Sequence, residues 1–240
     1  MPRFFVDSVV DQTVVLSGEN AAHAKVLRLK IGEEVTACDG KGMDYLCTVA
    51  DITSDTVALE VHSKEPSKTE PRVFASVYMA YSKGDKLEHV IQKATELGAV
   101  EIVAFPSSRC VAKFDEKGLN KKLPRWQKIA ASAAEQSGRG RIPQVIALSS
   151  YKEALLRAAQ ADKGVFFYEN EENYTLSAAL ATPYETISLM SGPEGGFSLE
   201  EANMAKEHGL SICTLGTRIL RCETAPLCAL SAVMFAAGEY

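Results

Sequence analysis

The sequence lacks the features of a membrane or secreted protein. Its 240 residues contain no apolar run of about 18 residues, the length that spans a bilayer. The first residues, Met1 to Phe5, lack the long apolar stretch of a secretory signal. We therefore expect a cytoplasmic protein that makes no contact with a membrane.

The sequence also lacks paired cysteines. Its six cysteines are scattered, and none of them forms a CxxC pair or has the spacing of zinc ligands. A chain of this length can bury a core without disulfides. We expect reduced thiols that are mostly buried, and we predict no metal site.

Basic residues are not in excess over the whole chain, because the net charge is −5. This total argues weakly against nucleic acid as a partner. Between residues 109 and 141, however, nine basic residues stand against three acidic ones. Proteins that contact phosphates need a basic patch rather than a basic total. The stretch is either such a patch or the solvated face of a helix, and the composition alone does not decide.

Residues 1 to 70 have the pattern of a small β-barrel. Five short segments rich in valine, threonine and aromatic residues predict strands: Arg3 to Asp7, Thr13 to Leu16, Glu34 to Cys38, Tyr45 to Asp51 and Thr56 to His62. A helix is predicted from Asn20 to Leu29. Five strands with one helix indicate a barrel. The polar segment 64–71 contains two prolines and predicts a linker, so we place a domain boundary there.

Residues 71–240 alternate between strand and helix patterns. Strands are predicted at Val73 to Ala80, Val100 to Phe105, Gln144 to Leu148, Gly164 to Tyr168, Thr186 to Met190 and Ile212 to Leu215. Helices are predicted at Leu87 to Leu97, Leu123 to Ala134, Tyr151 to Gln160, Ser198 to His208 and Ala225 to Ala236. The alternation predicts an α/β domain with a mostly parallel sheet. Ligands of such sheets bind beyond the carboxyl ends of the strands, which points to the loops after Met190 and Leu215.

The first of these loops runs from Ser191 to Phe197 and is rich in glycine. Three glycines in five residues allow a close approach of the backbone to a ligand. The loop matches neither the GxGxxG pattern nor a Walker loop. Glu194 would repel phosphate, whereas it suits a cationic ligand such as a sulfonium. Taken alone, the loop is better explained as a tight turn into the helix that Ser198 and Glu201 cap.

The second loop, Leu215 to Ala225, carries Arg218 and Arg221 on either side of an apolar pair, directly before a helix. Glu223 fits the first turn of that helix, where a carboxylate complements the helix dipole. An ordinary helix cap with ion pairs would have the same pattern. The residue types alone therefore select no methyl donor.

Read together, GPEGGFSLEE and LGTRILRCETA resemble the signature of the SPOUT methyltransferases. They are most similar to the bacterial 16S ribosomal RNA uridine-N3 methyltransferase family. Three further stretches fit that family: His23 to Arg28 with Asp39-Gly40, Gln92 to Gly98, and Glu135 to Arg139. The resemblance covers nearly the whole chain in order.

The resemblance implies a PUA-like β-barrel RNA-binding domain over 1–70 and a SPOUT-type knotted α/β methyltransferase domain over 71–240. It also implies a homodimer that binds S-adenosyl-L-methionine and acts on 16S ribosomal RNA or the small ribosomal subunit. The positions that match the family's donor site are Leu189, Met190, Gly192, Pro193, Glu194, Gly195, Gly196, Leu215, Gly216, Ile219, Leu220, Arg221, Thr224 and Ala225.

The chemistry of uridine N3 assigns catalytic roles to three residues. This nitrogen carries a proton and becomes a good nucleophile only when the proton leaves. We expect Arg221 or Arg218 to stabilise the uracil anion, and Glu194 to act as the base or to orient the donor. Phosphate contacts are assigned to Arg3, His23, Lys25 and Arg28 in the barrel, and to Arg109, Lys113, Arg139 and Arg141 in the second domain.

Three other interpretations remain at this stage. One is a metabolic enzyme that binds a dinucleotide or phosphate on a doubly wound sheet, although the missing GxGxxG and the barrel argue against it. Another is an RNA-binding protein without catalysis, in which the glycine loops are structural. The third is a SPOUT methyltransferase that modifies a ribose 2′-oxygen or a guanine N1.

Overall fold

The computed structural model describes residues 1–240 and divides into two compact units. The first unit comprises residues 1–70 together with 134–142, and the second comprises 71–133 together with 143–240. Residues 134–142, which the sequence pattern placed in the second domain, therefore group with the first unit. The assignment of 1–70 to RNA binding and of 71–240 to methyl transfer stays a prediction.

The first unit contains five strands and one helix. The strands are β1 (Arg3–Phe5), β2 (Thr13–Leu16), β3 (Glu34–Cys38), β4 (Met43–Ile52) and β5 (Val57–Pro66), and the helix is α1 (Gly18–Val26). The sheet order is β1-β3-β4-β5-β2, in which β1 is parallel to β3 and the other pairs are antiparallel. Phe4, Leu16 and Leu59 are among its fully buried core residues. The predicted five strands and single helix are thus confirmed.

The predicted linker at 64–71 is wrong over its first part. Strand β5 continues through Pro66, and residues 64–66 pair with residues 43–45 of β4. The Glu70 side chain is 14% exposed, and its carboxylate accepts hydrogen bonds from the backbone N–H groups of Gly140 and Arg141, both at 3.0 Å. A polar segment can be ordered in this way because its polar groups find partners within the fold.

The second unit is a parallel sheet with helices. Its strands are β6 (Phe74–Ala80), β7 (Glu101–Phe105), β8 (Gln144–Ala147), β9 (Lys163–Phe167), β10 (Thr186–Ser191) and β11 (Ser211–Cys213). Its helices are α2 (Lys86–Glu96), α3 (Glu116–Gln136), α4 (Tyr151–Ala158), α5 (Leu176–Ala179), α6 (Leu199–Glu207) and α7 (Thr224–Ala236). All strand pairs are parallel, in the order β11-β9-β10-β6-β7-β8. The α/β class predicted from the sequence is confirmed.

Helix α3 begins seven residues earlier than the pattern predicts, at Glu116 instead of Leu123. Proline favours the first turn of a helix, and Pro124 lies next to the predicted start. In the structure Pro124 lies inside the helix. Asp115 instead precedes the first turn, and its carboxylate accepts a hydrogen bond from the Gly118 N–H at 2.8 Å. The short helix α5 was not predicted.

The structure adds three observations on cysteines, metals and membranes. All six cysteines are free thiols, and five of them are buried. Nowhere do three or more His, Cys, Asp or Glu side chains come together as a metal would require. None of the helices combines the length and apolarity needed to cross a bilayer.

Candidate functional site

A cavity of about 280 Å³ lies at the carboxyl ends of β9, β10 and β11. The segments that follow these strands form its wall: 167–169, 191–194 with 196–197, and 213–216 with 218–223. Lys86, which follows β6, also lines it. Strands β6, β10, β9 and β11 are neighbours in the parallel sheet, so their carboxyl ends meet at one edge. The two loops selected from the sequence therefore border one cavity.

The loop after β10 requires glycine for two reasons: a left-handed backbone conformation and the lack of room for a side chain. Gly196 has a φ of +64°, and a Cβ atom there would lie 2.8 Å from Oε2 of Glu169. A Cβ atom on Gly192 would lie 3.1 Å from Cδ2 of Phe197. The Phe197 ring is itself fixed, because its centroid lies 4.2 Å from that of Phe166. The loop is thereby folded tightly against the cavity wall.

The helix after this loop begins as predicted. Ser198 Oγ accepts a hydrogen bond from the Glu201 N–H at 3.2 Å, and the Glu201 carboxylate accepts one from the Ser198 N–H at 2.9 Å. This confirms the capping box. The same carboxylate also accepts hydrogen bonds from the N–H and Oγ of Ser108, at 2.8 and 2.9 Å. Glu201 thus connects the end of the glycine loop to the segment after β7.

Lys86 joins two carboxylates on the cavity wall. Its Nζ lies 3.1 Å from Glu194 Oε1 and 3.7 Å from Glu223 Oε2. Glu194 Oε1 also accepts a hydrogen bond from the Lys83 N–H at 3.0 Å. Burial alone would raise the pKa of Glu194, but backbone N–H donors and Lys86 hold that pKa below its ordinary value. Glu194 is therefore a fixed carboxylate and a weak base.

The loop after β11 presents its charged groups differently. Arg218 and Arg221 both line the cavity and are exposed, and neither forms a salt bridge. The backbone of Arg221 is ordered, since its carbonyl accepts hydrogen bonds from the N–H groups of Thr224 and Ala225 at 2.8 and 3.0 Å. Both guanidinium groups are thus available to an anion at the cavity.

One buried hydroxyl of the wall has no partner. Ser191, at the end of β10, is 1% exposed, and its Oγ makes no hydrogen bond. A buried polar group without a partner is rare, and here it faces a cavity that can hold a ligand. In the sequence, this residue is marked only by its position between a predicted strand and the glycine-rich loop.

Ten of the fourteen predicted donor-site residues line the cavity: Gly192, Pro193, Glu194, Gly196, Leu215, Gly216, Ile219, Leu220, Arg221 and Ala225. Leu189 and Met190 are instead buried inside β10, and Gly195 and Thr224 lie outside the wall. Four further lining residues, Ser191, Phe197, Cys222 and Glu223, belong to the two loops selected from the sequence. Sequence reasoning missed Lys86, Phe167, Tyr168, Glu169, Cys213 and Thr214. A search at the carboxyl ends of all neighbouring strands would have found most of them.

The four residues of the barrel that were predicted to contact RNA differ in their exposure and in their partners within the protein. Arg3 forms a two-point ion pair with Asp44, at 2.6 and 2.9 Å, and is largely buried. His23 Nδ1 lies 2.9 Å from a Glu135 oxygen. Lys25 is exposed and donates a hydrogen bond to the Ser54 carbonyl. Arg28 is exposed and has a positive φ of 57°, which places it at a strained turn after α1.

The residues predicted to contact RNA between 109 and 141 also differ, because two are exposed and two are buried or half-buried. Arg109 and Lys113 are exposed, and Arg109 Nη1 donates a hydrogen bond to the Gly195 carbonyl at 3.0 Å. Arg139 is only 3% exposed, and its guanidinium pairs with Glu70 at 2.6 Å. Arg141 is half-buried beside the same carboxylate. The structure therefore gives Arg139 an internal partner in place of the RNA phosphate that the sequence prediction assigned to it.

Comparison with known proteins agrees with this geometry. Residues 69–234 match a family model described as an RNA methyltransferase domain, and residues 16–61 match one described as an RNA methyltransferase PUA domain. Ribosomal RNA small subunit methyltransferase E of Bacillus subtilis is 36% identical over 247 residues, covering 98% of this chain and 96% of that protein. The protein of the same name from Mycobacterium bovis is 31% identical over 236 residues, covering 96% and 90%.

A solved structure leads to the same family. Ribosomal RNA small subunit methyltransferase E from Neisseria gonorrhoeae, bound to S-adenosyl methionine, superposes with a TM-score of 0.86 and 33% identity. The match covers 98% of this chain and 97% of that one. The family resemblance carried by the two loops is thus confirmed, and the chain belongs to the RNA methyltransferase family that includes ribosomal RNA small subunit methyltransferase E.

Proposed function

We propose that this protein transfers a methyl group from S-adenosyl-L-methionine to N3 of a uridine in 16S ribosomal RNA. The observation that carries the proposal is the single cavity bordered by both signature loops, with the unpartnered Ser191 hydroxyl on its wall. The relatives named for methylation of small-subunit ribosomal RNA, and the neighbour bound to S-adenosyl methionine, support the same activity.

The wall of the cavity fits the methyl donor. At Gly192 and Gly196 the backbone lies so close to Phe197 and Glu169 that no side chain fits, which keeps the loop tight against the cavity, and Ser191 Oγ lacks a hydrogen-bond partner. Glu169, Glu194 and Glu223 supply negative charge for a cation. When bound, the donor supplies a methyl group on a positively charged sulfur. The fourteen donor positions predicted from the sequence stay our assignment, to which we add Ser191 and Lys86.

The acceptor base needs stabilisation of the negative charge that forms when N3 loses its proton. We assign this role to Arg221 or Arg218, whose guanidinium groups are exposed at the cavity and form no salt bridge. The low pKa of Glu194 makes it a poor proton acceptor. Its proposed role is therefore to orient the donor, together with Lys86. Positioning of the two reactants then supplies much of the rate.

The proposal also covers the residues that contact the RNA and the oligomeric state of the protein. Lys25 and Arg28 on the barrel and Arg109 and Lys113 on the second unit are exposed, so they can contact phosphates. Arg3, His23 and Arg141 already have carboxylate neighbours and would contact RNA only by exchanging them. The partner is 16S ribosomal RNA or the small ribosomal subunit. We further propose a cytoplasmic homodimer.

A calorimetric titration tests the donor site. S-adenosyl-L-methionine, titrated into the purified protein with NAD as control, should bind saturably, whereas NAD should not bind. Methyl donor binding should also raise the unfolding temperature, because a ligand of the native state stabilises it. A folded protein that binds no S-adenosyl-L-methionine, with or without RNA, would contradict the proposed function.

A further inference from the structure

A second cavity lies on the same edge of the sheet as the donor cavity. Its volume is about 720 Å³, within the range of small-molecule sites. It is bordered by Tyr81 after β6, Ser107 after β7 and Leu148 after β8. One face of α3 covers it with Glu116, Leu119, Asn120 and Leu123. None of the residues predicted for donor binding or catalysis lines it.

The wall of this second cavity fits a neutral, flat group with hydrogen-bonding edges. Leu119, Leu123 and Phe114 provide apolar surface, and Ser107 Oγ is buried without a hydrogen-bond partner. Two carboxylates, Glu116 and Glu153, outnumber the single Lys113 on the wall. A phosphate would therefore be repelled inside, whereas the N–H groups of a nucleobase find acceptors there.

The rim of the second cavity carries three exposed lysines, beside the exposed Glu116 and Glu153. Lys117 and Lys121 lie one turn apart on α3 and are exposed, each next in sequence to a residue that lines the cavity. Lys113 is also exposed. A basic strip beside a pocket with apolar walls is the arrangement by which proteins bind a nucleic-acid backbone and bury one of its bases.

The segment after β7 connects the two cavities. Ser107, Cys110 and Lys113 line the second cavity. Between them, Arg109 donates a hydrogen bond to the carbonyl of Gly195 at 3.0 Å, and the Ser108 N–H donates one to Glu201 at 2.8 Å. One segment therefore both lines the second cavity and contacts the loop that borders the donor cavity, which places the two cavities side by side.

We infer that the second cavity binds one unstacked nucleotide of the RNA substrate, next to the nucleotide that is methylated. Its base enters between α3 and the ends of β7 and β8, and its phosphates lie along Lys113, Lys117 and Lys121. The cavity thereby offsets part of the cost of unstacking the RNA around the reacting base. The inference rests on the proposed function, since it needs RNA as the substrate.

The test fills the second cavity from its rim. Asn120 is exposed on α3 and lines the cavity, so Asn120→Trp places a large ring there with little effect on the core. Ser132 is equally exposed on the same helix and lines neither cavity, so Ser132→Trp is the matched control. The probe is the small ribosomal subunit from a strain that lacks this enzyme, and the readouts are RNA affinity, KM for the subunit and affinity for S-adenosyl-L-methionine.

Asn120→Trp should weaken subunit binding about tenfold, the size of one lost base contact, with unchanged donor affinity and unfolding temperature. Ser132→Trp should behave as wild type. In the wild-type protein, bound subunit should protect Lys113, Lys117 and Lys121 from acylation more than Lys206 on α6. Full subunit affinity in folded Asn120→Trp, or no protection of the three lysines, would overturn the inference. A wild-type protein that does not methylate the subunit would instead contradict the proposed function.

Discussion

The two signature loops border one cavity but hold their charges in opposite ways. In the loop after β10, the carboxylate of Glu194 is fixed by the Lys83 N–H and by Lys86. In the loop after β11, Arg218 and Arg221 are exposed and form no salt bridge. Fixed charges need no reorganisation when a ligand binds, whereas exposed arginines are free to meet a second ligand. We propose from this comparison that the fixed carboxylate of the first loop contacts the donor and that the exposed arginine side chains of the second loop contact the RNA base.

The largest effect is expected from the second loop. Arg221→Ala should lower kcat for the small ribosomal subunit by roughly 100-fold, as loss of one charge-stabilising donor does elsewhere. The Arg221 carbonyl is held by the N–H groups of Thr224 and Ala225 and its guanidinium is exposed, so we expect Arg221 to serve the donor site through its backbone. Loss of the side chain should then change the affinity for S-adenosyl-L-methionine and the unfolding temperature little. Single-turnover kinetics and calorimetry measure the two quantities separately. An Arg221→Ala protein that loses donor binding but keeps kcat would reverse the division between the loops.

A smaller effect is expected when Glu194 of the first loop loses its cationic partner, Lys86. Lys86→Met removes the partner of Glu194 and Glu223, so we expect the affinity for S-adenosyl-L-methionine to fall about tenfold. Lys86→Arg keeps the charge and should recover most of the affinity. Calorimetry of the three proteins checks the prediction. If Lys86→Met and Lys86→Arg lose the same affinity, shape rather than charge fixes the loop.

A backbone change in the first loop should act on both stability and donor binding. Gly196→Ala imposes a positive φ on alanine and brings its Cβ within 2.8 Å of Glu169, so we expect about 1 kcal/mol lower stability and weaker donor binding. Gly209→Ala is the control, because Gly209 also has a positive φ, +87°, but faces no atom within 4 Å and lies outside the cavity. Equal donor affinity in the two variants would show that the loop backbone is not part of the donor site.

The smallest effect is the pH dependence of the Glu194 contacts. The pKa of this carboxyl is lowered in the folded protein, so its contribution to stability is present above the ordinary carboxyl pKa. It is lost as the pH falls through the lowered pKa. The difference in unfolding temperature between wild type and Glu194→Gln should therefore shrink from neutral to acidic pH. A difference that is constant across this range would show that the charge of Glu194 is not what Lys86 and Lys83 stabilise.

Much of the fold could be predicted because its strands have a clear pattern. Strands β2 and β3 have the bounds that the sequence predicts. The start of α3 could not be predicted from Pro124. Proline is favoured at the first turn of a helix, but it also occurs inside a helix that tertiary packing holds together, as here. The end of β5 was missed because its polar residues 64–66 look like a linker unless their partners in β4 are known.

The candidate site was predicted only where its residues lie in the two loops. Lys86 contacts Glu194 from 108 residues away in the sequence, and no local pattern indicates such a pair. Glu169 reaches the cavity because β9 and β10 are neighbours in the sheet, which depends on topology. Arg139 shows the opposite error. The basic stretch around it predicted an exposed surface, but its side chain is buried.

The proposed function is tested most directly by locating the methyl group on the RNA. Small ribosomal subunits from a strain lacking this enzyme would be incubated with the protein and S-adenosyl-L-methionine, and the 16S ribosomal RNA analysed by nucleoside mass spectrometry. The proposed function predicts one new 3-methyluridine, formed by wild type and about 100-fold more slowly by Arg221→Ala. Methylation at a ribose 2′-oxygen or a guanine N1, or no methylation by a protein that binds both substrates, would contradict it.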